Sequence, residues 1–256
     1  MSVNFEINKN NIGVIDLNFG DKNELYIQEI NEVIKVIIEK VQKQYIIRAV
    51  LIKSSNPQYF AVGPAIRKIK DLNKNDARYF ATVLNKMITH IENIEIPVIA
   101  KIEGTVSGIG FDIVAACDFK FATLDSTFAD YSVRCGIVSP SALMSRLIFL
   151  IGAQKAKEIA LLGKKFTAEE MYSFNFLTKV LNKEDINNYI NKFLNDFNEL
   201  SIQSFQSFKI TKKFFNAIIQ NQINNSPFSI IDIFSELFHS DQSLKSHFES
   251  IINLDL

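Results

Sequence analysis

The residues best suited to chemistry lie in two glycine-bearing stretches of the first half of the chain. The first is YFAVGPAI at 59–66, and the second is IPVIAKIEGTVSGIGFD at 96–112. In the second stretch a β-branched run leads into a glycine turn and then an apolar run, which predicts a strand followed by a helix start. Free backbone N–H groups at a helix start suit an anion or a developing oxyanion.

Other uses of the second stretch fail on its spacing. A dinucleotide-binding G-x-G-x-x-G would need glycine where the chain has Ile113, and a nucleophile elbow around Ser107 would need glycines where it has Thr105 and Ile109. The small residues of 59–66 would let a ligand approach the backbone, with a buried turn as the alternative. Six of the nine glycines lie between Gly63 and Gly152, so we expect close backbone approach there.

Composition limits the class of protein. A hydrophobic content of 47% excludes a disordered chain, and a formal net charge of zero disfavours a nucleic-acid binder. Cys117 and Cys135 match neither a disulfide framework nor a metal spacing, and the three histidines are scattered, so we expect reduced thiols and no metal. Without a signal-peptide pattern or an apolar run of ~18 residues, the sequence predicts a cytoplasmic protein with no membrane contact.

The elements that must position these stretches follow from hydrophobic periodicity. Strands alternate with helices up to about residue 180 and helices follow, which predicts an α/β core at 1–185 and a C-terminal helical region at 186–256. The predicted strands are 3–7, 12–19, 46–52, 98–102, 119–122 and 127–128. The predicted helices are 24–43, 76–94 and 141–162, the last interrupted at Gly152. A further helix is predicted to begin after Thr167 as its N-cap, and the whole of 185–256 is predicted to be helical.

Taken in order, the two stretches and those that follow resemble the crotonase (enoyl-CoA hydratase/isomerase) superfamily. The resemblance covers most of 1–180 and is specific as an ordered set. It continues through AACDFKFA at 115–122, STF at 126–128, GIVSP at 136–140, RL at 146–147, IGAQKA at 151–156 and LLGKKFTAEE at 161–170. The implied fold is α/β, a right-handed spiral of ββα units, with a C-terminal all-helical region that builds homotrimers, often paired into hexamers.

The resemblance also implies a site. Family members bind an acyl-CoA or acyl-carrier-protein thioester as substrate without a permanently bound cofactor, and two backbone N–H groups stabilise an enolate. The two donor positions fall on Pro64 and Ile109, and the two carboxylates of a typical hydratase fall on Asp112 and Ser132. Positions that would contact coenzyme A fall on Ala61, Val62, Ala65, Ile66 and Gly108.

Three of these positions depart from a standard hydratase. Pro64 has no N–H to donate, so Gly63 is the alternative donor if the loop shifts. Asp112 is one methylene shorter than the usual glutamate, and Ser132 cannot act as a carboxylate. Asp130, two residues before Ser132, would share its face if both lie on a strand and would then partly substitute for it, with a solvated turn or helix cap as the alternative. Lysines and an arginine after the first loop are candidates to contact CoA phosphates, with a solvated helix face as the alternative: Arg67, Lys68 and Lys70.

Two functions remain open from the sequence. The first is an enzyme of isomerase, dehydratase or hydratase type that uses Asp112 as its single carboxylate, in fatty acid metabolism. The runs GIGFD and GIVSP are also similar to crotonase-fold dehydratases and decarboxylases of polyketide biosynthesis, which act on carrier-protein thioesters. The second is a non-catalytic acyl-thioester binder or assembly subunit whose degenerate site is marked by Pro64 and Ser132.

Overall fold

The computed structural model of the protein describes residues 2–239 and 242–252. Within these ranges strands and helices alternate, and four helices follow the last strand. The strands are β1 (Ser2–Ile7), β2 (Ile12–Asn18), β3 (Ala49–Ser54), β4 (Tyr59–Ala61), β5 (Val98–Ile102), β6 (Thr105–Ser107), β7 (Phe119–Thr123), β8 (Thr127–Ala129), β9 (Lys165–Thr167) and β10 (Lys179–Leu181). The α-helices are α1 (Ile27–Val36, continued by a π-helical turn at Ile37–Val41), α2 (Ile66–Ile69), α3 (Lys74–Glu92), α4 (Ile109–Ala116), α5 (Leu143–Leu162), α6 (Ala168–Ser173), α7 (Ile186–Asn198), α8 (Ile202–Asn224), α9 (Ile230–Glu236) and α10 (Gln242–Ile252).

Two sheets organise these elements. The larger has the order β1-β2-β3-β5-β7-β10 and is parallel apart from the β1–β2 hairpin, and the smaller has the order β4-β6-β8-β9. Three strands of the first sheet, β3, β5 and β7, are each followed by a short strand of the second, as in β5-β6-α4 and β7-β8-α5. This repetition confirms the predicted α/β spiral of ββα units.

Local sequence explains the predictions that succeeded. The β-branched run at 98–102 forms β5 at the predicted residues, and the helix predicted over 141–162 is α5, with Gly152 at φ +76° inside it. Thr167 caps α6 as predicted, because its hydroxyl accepts from the Glu170 N–H at 3.1 Å while Glu170 Oε2 accepts from the Thr167 N–H at 2.8 Å.

Two elements begin three residues later than predicted. The helix predicted from residue 24 begins at Ile27, since Glu24 forms a parallel bridge with Val62 and the Leu25 N–H donates to Val62 O at 2.9 Å. The strand predicted over 46–52 begins at Ala49. The three-residue strands β4, β6, β9 and β10 were not predicted, because so short a run has no readable alternation.

The C-terminal helices fold back onto the core. α7 covers the outer face of the larger sheet, where Ile186, Ile190 and Leu194 pack on Ile99 and Phe121. On the opposite side α9 packs on α3, with the rings of Phe234 and Phe80 6.1 Å apart, and α10 contacts α2. The region predicted as all-helical contains four helices within the described residues. None of the described helices is both long and apolar enough to cross a bilayer.

Candidate active site

The two glycine-bearing stretches meet at the start of α4. The Ile109 N–H donates to Gly63 O at 2.8 Å, so the loop after β4 lies directly on the helix N-terminus. A Cβ at Gly110 would lie 1.9 Å from Ala61 O, and one at Gly108, where φ is +54°, would lie 2.1 Å from Gly63 O. Only glycine permits this approach, which is the physical reason for the cluster that stands out in the sequence.

The segment before α1 holds this loop in place. Asn23 is fully buried, donates from Nδ2 to Phe60 O and accepts from the Phe19 N–H at 2.7 Å. Glu24 Oε1 accepts from the Ala65 N–H at 2.9 Å, and the same carboxylate pairs with Arg67 at 2.9 Å and Lys68 at 3.4 Å. Two of the cations predicted to contact CoA phosphates therefore already have a carboxylate partner. Sequence analysis missed Asn23 and Glu24, because neither belongs to a local motif.

The backbone donors differ from the arrangement that the resemblance implies. Pro64 has no N–H, and the Ile109 N–H is occupied by Gly63 O. Neither position therefore presents a free donor in this structure. The Gly63 N–H, the alternative raised by the sequence, has no hydrogen-bond partner among the described residues. The loop residues next to Gly63 are those expected to contact coenzyme A. Ala61 is buried, and Val62, Ala65 and Ile66 are half-buried.

Asp112 lies in the first turn of α4 and is 1% exposed. Its Oδ1 accepts a hydrogen bond from the Ser141 hydroxyl. Burial raises the pKa of the Asp112 carboxyl to about 7, against the opposing effects of the Ser141 hydrogen bond and the positive charge of Arg146. The carboxylates of Asp130 and Glu92 raise this pKa further. Near neutral pH, both protonation states of Asp112 are populated, as a group that gives and takes protons requires.

Asp130 and Ser132 lie in a turn rather than on a strand, so of the two alternatives from the sequence the turn is found, although Asp130 is buried rather than solvated. β8 ends at Ala129, and Asp130 Oδ1 accepts from the Ser132 N–H at 3.0 Å and the Ser132 hydroxyl at 2.6 Å. This side-chain turn is local and competes with strand pairing. Asp130 is 3% exposed and its charge acts on Asp112, so the two carboxylates share one buried cluster.

Neither cysteine is suited to nucleophilic chemistry. Burial raises the pKa of the Cys117 thiol to about 12 and that of Cys135 to about 11, so both stay protonated at neutral pH. Both thiols are free. Within 2–239 and 242–252, no three or more His, Cys, Asp or Glu side chains are grouped to hold a metal ion.

Sequence analysis missed the polar groups that surround Asp112. Ser141 lies just before α5, Arg146 in the first turn of α5 and Glu92 at the end of α3. Arg146 lies in one of the stretches that carried the family resemblance, but nothing local in the sequence marks its partner, 54 positions away. Neither of two cavities, of about 410 and 440 Å³, is lined by Asp112, Asp130 or Ser132, although Glu92 lines the larger one. Lys70, the third predicted phosphate contact, lines the smaller one.

Comparison with known proteins agrees with this fold. The sequence model of the enoyl-CoA hydratase/isomerase family matches residues 7–251. The short-chain-enoyl-CoA hydratase of Clostridium acetobutylicum is 24% identical over 205 residues, which are 80% of this chain and 77% of that protein. The crotonyl-CoA hydratase of Syntrophomonas wolfei is 28% identical over 153 residues, 60% of this chain and 59% of that protein. The solved enoyl-CoA hydratase of Bacillus halodurans has a TM-score of 0.85 at 21% identity, over 98% of this chain and all of that one.

Proposed function

Because the chain belongs to the enoyl-CoA hydratase/isomerase family, we propose that it binds an acyl-CoA thioester and moves a proton on the bound acyl group through Asp112. The observation that carries the proposal is the burial of this carboxyl together with its raised pKa. It is buried in the first turn of α4, and its pKa is raised to about 7. A group whose pKa lies near the working pH serves as a base in one step and as an acid in the next.

A single carboxylate of this kind is sufficient for double-bond migration. Asp112 would take a proton from carbon 2 of a 3-enoyl thioester to form a dienolate, and would return the proton to carbon 4, which leaves the 2-enoyl product. No atom is gained or lost in this sequence, and Asp112 ends in its starting protonation state. We therefore place isomerisation first among the reactions of the family, ahead of hydration and dehydration.

Hydration would need a second group to position and activate water. Ser132, at the family's second carboxylate position, has its hydroxyl bound to Asp130 at 2.6 Å and has no charge to contribute. For a hydratase reaction, Asp130 is the candidate second carboxylate, because it is 3% exposed and its charge raises the pKa of Asp112. The two reaction types are therefore distinguished by their dependence on Asp130.

A specific observation also favours the non-catalytic binder as a second candidate. Gly63 O occupies the Ile109 N–H at 2.8 Å, and residue 64 is a proline. A site that lacks one oxyanion donor loses about 10²–10³ in rate in well-studied enzymes. A protein that only binds the thioester would tolerate both features.

The experiment that tests the proposal is turnover of three substrate panels. We expect purified protein to convert 3-enoyl-CoA to the 2-enoyl product, seen as growth of the conjugated-thioester absorbance. Panels of 2-enoyl-CoA and 3-hydroxyacyl-CoA test hydration and dehydration, and the corresponding carrier-protein thioesters test the alternative carrier. Asp130→Asn is the matched variant: it should leave isomerisation within a few-fold and abolish any hydration.

The outcomes separate the candidates. Isomerisation that survives Asp130→Asn supports the single-carboxylate enzyme, and hydration lost in that variant indicates the two-carboxylate type. Thioester binding without turnover on any panel supports the binder. Absence of both binding and turnover with either carrier contradicts both proposals.

We propose further that the protein works in the cytoplasm as a homotrimer or a pair of trimers. α8 has four apolar side chains that are 45–70% exposed, and each lies within about one helical turn of the next: Ile210, Phe214, Phe215 and Ile218. An apolar helix face of this kind is typical of an interface, whereas Phe205, at the start of the same helix, is buried. Light scattering at micromolar concentration should give three or six times the chain mass, and a monomer at that concentration would contradict the proposal.

A further inference from the structure

Ser141 is in direct contact with the proposed proton carrier. Its hydroxyl donates to Asp112 Oδ1, and both side chains are buried. The two residues are 29 positions apart in the chain, and the packing of α4 against α5 brings them together. The contact therefore belongs to the tertiary structure and not to a local motif.

The direction of this hydrogen bond follows from the other partners of Ser141. Its Oγ accepts from the N–H of Leu143, the first residue of α5, at 3.2 Å. The hydroxyl oxygens of Ser139 and Ser141 are 3.3 Å apart. A hydroxyl has one proton and two lone pairs, and the Ser141 proton already goes to Asp112. Its lone pairs therefore take the Leu143 N–H and the Ser139 proton, which leaves no place for a proton donated by Asp112.

The turn that contains both serines is tied to α3. Asn85 donates from Nδ2 to Pro140 O at 2.9 Å and to Ala81 O, on its own helix, at 2.7 Å. Pro140 stands between the two serines, and its ring fixes its own φ, so the contact also restrains the residues on either side. Ser141 is thus held by α3 and α5 and does not depend on Asp112 for its position.

The second carboxylate oxygen of Asp112 has a different environment. Oδ2 has no hydrogen-bond partner among the described residues. It is also not one of the unpaired polar atoms that are sealed from solvent, which in 2–239 and 242–252 are Asp16 Oδ1, Arg146 Nη1 and Asn198 Oδ1. The small exposed area of Asp112 therefore includes Oδ2, whereas Oδ1 faces Ser141.

We propose that Ser141 is a positioning residue for Asp112: it anchors Oδ1 and so leaves Oδ2 as the oxygen that takes and returns the substrate proton. The inference rests on the proposed function, in which Asp112 carries that proton. The C–H bond at carbon 2 breaks with its electron pair left on the dienolate, and the proton binds Oδ2. The same proton then leaves Oδ2 for carbon 4. Ser141 keeps its own proton throughout and donates to Oδ1 in both protonation states of Asp112.

The infrared C=O stretching band of protonated Asp112 tests this arrangement. It is recorded at pH 5, where the carboxyl is protonated because its pKa is raised to about 7, and it is assigned by its loss in Asp112→Asn. With the proton on Oδ2, the C=O oxygen is Oδ1 and accepts from Ser141. Ser141→Ala removes that hydrogen bond, so the band should move to higher wavenumber. With the proton on Oδ1, the C=O oxygen is Oδ2, which has no hydrogen bond to lose, and the band should stay in place.

Turnover gives a second readout. Ser141→Ala should lower kcat by about 10–10²-fold and leave KM within a few-fold, because Ser141 orients Asp112 and does not hold the acyl group. Ser141→Cys keeps a side chain of similar size with a weak donor. Both the band shift and the loss of kcat should therefore be smaller in Ser141→Cys than in Ser141→Ala.

Ser126→Ala is the matched control. Ser126 is also buried, and its hydroxyl contacts Thr123 Oγ1 at 2.9 Å and Ile102 O at 3.2 Å instead of Asp112. The variant removes a buried hydroxyl of the core without touching the carboxyl. It should leave both the Asp112 band and kcat at their wild-type values.

The outcomes are distinguishable from those of the proposed function, because the band is recorded without substrate. A shift to higher wavenumber in Ser141→Ala that is absent in Ser126→Ala supports the anchoring of Oδ1, and a lack of turnover would then contradict only the proposed function. An unmoved band in Ser141→Ala, or equal shifts in the two alanine variants, would overturn the positioning role whatever the protein catalyses. If Ser141→Ala does not fold, Ser141→Cys replaces it, and an unmoved band in that variant would overturn the proposal.

Discussion

Asp112→Asn is expected to lower turnover of the reactive CoA thioester by about 10²–10⁴-fold, because the amide cannot exchange a proton with the acyl group.

The same substitution should stabilise the fold at alkaline pH. The Asp112 carboxyl is 1% exposed, and its pKa is raised from 3.8 to about 7, so its charged form is disfavoured in the folded protein. Asparagine keeps the shape and accepts the Ser141 hydrogen bond without ever acquiring the charge.

The direction of the pH dependence follows from proton binding. Between pH 4 and 7 the folded state holds a proton on Asp112 that the unfolded state has lost, so the stability of the wild type falls as the pH rises through this window. Relative to acidic pH, the loss above pH 7 is on the order of 4 kcal/mol. Asp112→Asn should lack this part of the pH dependence.

Urea unfolding of both proteins at pH 5, 6, 7 and 8 measures the effect. Ser141→Ala is the control, because removal of the hydroxyl donor raises the pKa of Asp112 in the folded state and so extends the fall in stability to higher pH. Full turnover by Asp112→Asn would contradict the role of Asp112, and parallel stability profiles of the variant and the wild type would contradict its raised pKa.

Pro64→Ala is expected to raise turnover by about 10²–10³-fold, because it adds a backbone N–H at the position where the family presents its first oxyanion donor. Pro64 has no such group, and the neighbouring Ala65 N–H is already bound to Glu24 at 2.9 Å. The new donor would act on the developing enolate oxygen. The gain should therefore appear in kcat, with little change in KM.

Steady-state kinetics of Pro64→Ala on the substrate that reacts in the wild type tests this expectation. The double variant Pro64→Ala/Asp112→Asn is its control: it should show no gain, since an oxyanion donor without a proton carrier completes no reaction. Unchanged or lower kcat in a folded Pro64→Ala protein would mean that the thioester carbonyl does not reach residue 64. The Gly63 N–H, which has no partner among the described residues, would then be the donor to test.

Much of the fold is readable from the sequence because its signals are local. The run of β-branched residues at 98–102, the interruption at Gly152 and the capping pair of Thr167 and Glu170 all depend on neighbours within a few positions, and each appears in the structure as predicted. The start of α1 was misplaced because residues 24 and 25 pair with Val62, about 40 positions away. Periodicity cannot register a partner at that distance.

The same difference between local and long-range signals holds for the candidate site. By itself the sequence determined which chemical groups are present: the glycines that permit close backbone approach, a proline without an N–H, and a serine at the position to which the resemblance assigns a hydratase's second carboxylate. Only the tertiary structure decided the state of these groups. Gly63 O occupies the Ile109 N–H, Asp130 turns inward beside Asp112, and Ser141, Arg146 and Glu92 surround a carboxyl whose pKa is about 7. The physical reason is that burial and charge act through space, so the acidity of Asp112 depends on residues from α3 and α5 that lie 20 to 34 positions from it in the chain.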